Sequence, residues 1–121
     1  MDSLPLLEAV ALNRGILLRC SGKAHANRSM RLRLTFDIGI VEPRAERSRL
    51  SFEVSKREPE PTSLSVWDEE EPWWKVLGHP LVLVEEHANE CVRLQWRHND
   101  DNPKIIELSA KDDFVLAKEI L

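Results

Sequence analysis

From Met30 to Ile40 the chain alternates without a break. Met30, Leu32, Leu34, Phe36 and Ile38 fall on one side, and Arg31, Arg33, Thr35 and Asp37 on the other. A period of two is the pattern of a strand with one buried and one wet face, which is how antiparallel sheets are commonly built. The pattern returns over residues 49–56, with Leu50, Phe52 and Val54 inward and Arg49, Ser51 and Glu53 outward. The chain must therefore build a sheet, and the other segments are to be placed around it.

Residues 3–11 (SLPLLEAVA) predict a short helix, with Ser3 as cap, Pro5 near the first turn and Gly15 as its end. Residues 15–20 predict a short buried strand and residues 21–29 a polar loop. Residues 41–47 predict a turn through Pro43, and residues 64–67 an edge strand. The acids Asp68 to Glu71, then Pro72-Trp73-Trp74 and a closing Gly78, predict a short second helix. Residues 81–87 and 91–98 predict a hairpin around Ala88-Asn89, which sets Leu83 opposite Leu94 and Leu81 opposite Trp96. After a turn at 99–103 comes a strand at 104–108. Residues 110–121 are rich in helix formers behind a capping-box pattern, so a terminal helix is expected, with a strand at 114–120 as the alternative. The sum is an α+β chain: a mostly antiparallel sheet of about six strands with two or three short helices.

At 121 residues the chain fits a single domain spanning 1–121, with a Pro- and charge-rich connection at 56–63 (KREPEPTS). Its 17 Lys and Arg against 21 Asp and Glu give a net charge of −4. That balance argues against nucleic-acid binding, which draws most of its affinity from phosphate neutralisation. No stretch approaches the roughly 18 apolar residues of a membrane-spanning helix, and no secretory leader opens the chain. Cys20 and Cys91 stand far apart without a CxxC or Cys/His zinc spacing, so a cytoplasmic protein with two reduced thiols and no cofactor is expected.

Two stretches echo each other. His25-Ala26-Asn27 is followed by Arg31-Leu32, and His87-Ala88-Asn89 by Arg93-Leu94 at the same spacing. Each follows an apolar strand, a glycine and a helix, as a duplicated helix–strand–strand–strand unit would.

Four sets of side chains carry chemistry. In the expected hairpin register His79 faces His98 with Cβ atoms ~5 Å apart. With Asp100 in the adjoining turn, the pair offers a transition-metal ligand set. Glu85 and His87, two apart on one strand, could couple as acid and base, but no nucleophile or oxyanion site accompanies them. Cys20 and Cys91 lie in apolar strand contexts that keep a thiol protonated. Trp73 and Trp74 cannot both face one core from a short helix, so one of them is left for a partner. No phosphate loop, GxSxG or HExxH pattern is present. The expected function is a non-catalytic protein-interaction module: an adaptor, a regulatory or neutralising partner, or a homo-oligomer. A metal or small-ligand binder using the histidine pair is the alternative, and an enzyme without a recognisable motif the third reading.

Overall fold

Two antiparallel meanders of four strands each account for most of the chain. The computed structural model describes residues 4–25, 28–56, 65–66, 73–87, 91–97 and 103–120. The first meander runs β1 (Leu17–His25), β2 (Arg28–Phe36), β3 (Gly39–Glu46) and β4 (Arg49–Ser55), and the two-residue β5 (Ser65–Val66) pairs with β1. The second runs β6 (Leu81–His87), β7 (Cys91–Trp96), β8 (Lys104–Lys111) and β9 (Phe114–Glu119). One α-helix, α1 (Leu4–Leu12), precedes the first meander, and a 3-10 turn at Trp73–Lys75 precedes the second. Each strand pairs antiparallel with the next within its meander. The Ser29↔Val115 pair sets β9, the outer strand of the second meander, against β2, an inner strand of the first. The coarse expectation, a mostly antiparallel α+β fold, is what the structure has.

In detail the structure differs from the expected elements. β1 runs on through residues expected to form a loop. Residues 41–46, expected as a turn, are strand β3. Of the expected middle helix the described residues form a single 3-10 turn at Trp73–Lys75, and residues 114–119, expected in a terminal helix, are strand β9. Tertiary context overrides propensity at that end. Val115 is buried in the core, and β9 pairs with β8 from Ile106↔Glu119 to Lys111↔Phe114, a ladder that a helix could not supply. The β6–β7 register is also corrected. Leu81↔Trp96 stands as expected, but an irregularity at Val82 shifts the rest, so Val84 faces Leu94 and the exposed Leu83 faces Gln95. Cys91 consequently lies opposite His87. The loop residues 26–27 and 88–90, the acids 68–71 and most of the 56–63 connection lie outside the described residues.

α1 ends in a Schellman motif. Gly15 N–H donates to Val10 C=O (3.0 Å) and Arg14 N–H to Ala11 C=O (3.1 Å), with Arg14 itself in the left-handed region at φ 53°. The side chains of Leu7, Val10 and Ala11 then meet a core shared by both meanders, built from Leu34, Phe36, Phe52, Val84, Leu94, Trp96, Ile106 and Leu108 among others.

The halves repeat one plan about a local twofold relation. Ile16 forms an antiparallel bridge with Pro80. Around it, Leu17 N–H donates to His79 C=O (3.3 Å) and Leu81 N–H to Gly15 C=O (2.8 Å), two bonds that exchange when the halves are swapped. The flanking pair exchanges likewise: Asp37 N–H donates to Ile16 C=O and Arg97 N–H to Pro80 C=O, both at 3.0 Å. At the far end the β3–β4 turn meets the β8–β9 turn in the same way. Arg47 N–H donates to Asp113 Oδ1 (3.1 Å) and Asp112 N–H to Ser48 Oγ (2.9 Å). Cross-strand ion pairs also match, Arg33–Glu42 at 3.3 Å beside Leu34↔Val41 and Arg93–Glu107 at 3.0 Å beside Leu94↔Ile106. These matches set Leu34 against Leu94 and Arg33 against Arg93, so the His-Ala-Asn echo, which aligns Arg31 with Arg93, is two residues out of structural register.

Candidate functional site

A tight 3-10 turn sends neighbouring side chains about 120° apart, and the Trp73–Lys75 turn separates its two tryptophans accordingly. Trp73 is 3 % exposed and meets Trp96 edge to face, with ring centroids 6.3 Å apart and planes at 83°. Trp74 is 49 % exposed. Its ring carries Lys75 Nζ at 5.7 Å from the centroid, and the same ammonium is held by Glu119 Oε2 at 2.8 Å. Lys104 adds a second cation at 3.6 Å from Glu119 Oε1. Lys75, followed by Lys104, holds the Glu119 carboxyl below its ordinary range. The result is an aromatic surface whose cation is fixed from the last strand. Ile120, at the end of β9, is also exposed.

The metal reading meets a different geometry. His79 is half-buried, and its carbonyl serves the bridge to Leu17; His98 and Asp100 lie outside the described residues. Among the described residues no three His, Cys, Asp or Glu side chains gather as a metal site. Glu85 and His87 are exposed on one side of β6, opposite Arg93 and Cys91. Glu85, Arg93, Glu107 and Lys118 follow one another across four strands, an alternating row of charges typical of a solvated face. Cys20 and Cys91 are both buried and neither is in a disulfide. Burial first, then a hydrogen bond to Glu107, pushes the Cys91 thiol up to about 11, which makes it a poor nucleophile. Arg93, with Cys91 second, holds the Glu107 carboxyl low.

Sequence reasoning passed over a cleft at the open end of the first meander. β2 and β3 pair only from Leu34↔Val41 to Phe36↔Gly39, whereas their counterparts β7 and β8 pair from Cys91↔Ser109 to Trp96↔Lys104. Beyond Leu34 the β2–β3 ladder stops, and an open depression of about 470 Å³ lies there. Leu32, Pro43 and Ala45 line it, with Glu42, Glu46 and Asp113 beside Arg44 and Arg47. The only signal in the sequence is Pro43, expected to turn the chain. No protein-family model, curated protein or solved structure matches this chain.

Proposed function

We propose that this protein is a non-catalytic interaction module that acts through a protein partner or a second copy of itself. Trp74 carries the reading: a large aromatic ring left half in solvent while its neighbour Trp73 fills the core. Aromatic residues with few rotamers, set beside a charge that is already paired, are favoured anchors of protein interfaces. The solvent side of α1 supports the same reading, because Leu6 and Leu12 are exposed there and Glu8 is the helix's one charged residue. Buried, reduced thiols suit a cytoplasmic setting for such a module. The repeated plan of the two halves is best read as a duplicated helix-and-meander unit within one domain.

The test is the mass of the assembly. Native mass spectrometry of protein isolated gently from its own cells is expected to show the chain with a second polypeptide or a second copy. Trp74→Ala should return it to the bare monomer with the fold kept, at a cost of about 1–2 kcal/mol because half of the ring is buried. A bare wild-type monomer, or an unchanged assembly in the variant, overturns the proposal.

A further inference from the structure

We propose that Glu119 is a positioning residue for the Trp74 surface: through Lys75 it holds the indole in the orientation that a partner meets. What this does for binding rests on the interaction reading above, whereas the positioning itself does not.

The 3-10 turn is too short to place Trp74 unaided. It spans three residues, Trp73–Lys75, and is closed by the bond from Val76 N–H to Trp73 C=O (3.0 Å). Such turns have poorer hydrogen-bond geometry than an α-helix and rarely run on. The two flanking side chains supply the anchors instead. Trp73 is sunk in the core against Trp96 of β7, and Lys75 reaches out to Glu119 of β9. Trp74 stands between them, half-exposed. An exposed side chain changes rotamer within nanoseconds unless a neighbour holds it. The Lys75 ammonium, 5.7 Å from the ring centroid, is such a neighbour.

Lys75 can hold the ring only if it is itself held, because a lysine is a point charge on a flexible stem. Glu119 removes that freedom. Its Oε2 takes Lys75 Nζ at 2.8 Å while its Oε1 faces Lys104 Nζ at 3.6 Å, so both oxygens of the carboxylate are engaged. The frame beneath is strand ladder. Glu119 pairs with Ile106, Lys104 pairs with Trp96, and Ile120 N–H donates to Ile105 C=O (2.8 Å). All three charged side chains are partly buried, so salt screens them less than it screens a fully exposed pair. Thus the strands that carry Trp96, Lys104 and Glu119 all bear on one short turn. A plain staple between β9 and the turn would add stability without ordering the indole. The acids 68–71, directly before the turn, lie outside the described residues. A hold of theirs on Lys75 would survive the loss of Glu119.

The experiment is ¹⁵N relaxation at the Trp74 indole N–H in the full chain. An order parameter of about 0.85 is expected in the wild type and below about 0.6 in Glu119→Gln, with the backbone values unchanged. Lys75→Met, which keeps the apolar stem, should release the ring in the same way, and Lys75→Arg should keep it ordered. In the assembly isolated from the protein's own cells, Glu119→Gln should raise the Kd about fivefold, the upper end for an exposed ion pair. An indole already mobile in the wild type, or one whose order Glu119→Gln leaves unmoved, overturns the positioning. If Glu119→Gln fails to fold, Lys75→Met decides by the same readout. A ring released by Glu119→Gln with an unchanged Kd overturns the consequence for binding. An assembly indifferent to Trp74→Ala overturns the interaction reading and leaves the positioning to the relaxation result.

Discussion

At Gly15 a Cβ would come within 2.7 Å of Val10 Cγ1 and 3.3 Å of the Ile38 side chain, because the end of α1 and the β2–β3 turn close on it. Glycine is needed there for space, while the left-handed conformation falls to Arg14 one residue earlier. Gly15→Ala is accordingly expected to cost about 1–3 kcal/mol through crowding, measured by urea unfolding. Arg14→Gly should be neutral or stabilise by up to about 1 kcal/mol, since it removes the penalty of a Cβ at positive φ. Cys91 gives a pH signature. Its thiol is raised in the folded chain from an ordinary 9.0 to about 11, so its contribution is complete below pH 9 and is lost as pH rises towards 11. Unfolding midpoints measured between pH 8 and 11 should fall over that window, and Cys91→Ser should flatten the fall. Glu107 acts with the opposite sign. Its depressed carboxyl adds stability above the ordinary carboxylate value, which disappears on acidification.

Among the elements, Leu108→Pro in β8 removes the N–H that keeps β7 and β8 paired at Val92↔Leu108, and also empties a buried leucine site. A loss of about 3 kcal/mol or more is expected in denaturant titrations, far above that of a surface change on the same strand. The elements also differ in how far they could be read in advance. β2 and β4 were legible because Leu32, Leu34 and Phe36, like Leu50 and Phe52, are the buried apolar positions of an alternating pattern, although Arg33, expected on the wet face, is buried too, where it pairs with Glu42. β3 was hidden twice over: Pro43 reads as a turn, and Ile40 and Val41 are buried although adjacent, which breaks the period of two. β9 was hidden because Leu116, Ala117 and Lys118 favour a helix until β8 offers them a ladder. The split between Trp73 and Trp74 followed from turn geometry alone. The cleft did not, because it arises where the β2–β3 ladder stops, a matter of register between segments that no local pattern records.

For the molecule as a whole, the core residues come from both meanders, and the halves exchange hydrogen bonds at two places, around Ile16 and Pro80 and between the turns at Arg47 and Asp113. Neither half can leave without exposing the other. Unfolding of a Trp67→Phe variant followed by tryptophan fluorescence, in which Trp73, Trp74 and Trp96 report the second half, should therefore coincide with far-ultraviolet circular dichroism, which reports both; separate midpoints would show independent halves. The same layout sets an order of events in time. Every hairpin closes through a short connection and can form within microseconds, whereas Ser29↔Val115 and the bridge at Ile16 join parts of the chain far apart in sequence. Closing those distant contacts is the entropically expensive step, so the refolding rate should be set by the meeting of two half-formed meanders. A chain still waiting for that meeting carries an unpaired β9 edge, and pairing it with the wrong molecule is the hazard this architecture runs during synthesis.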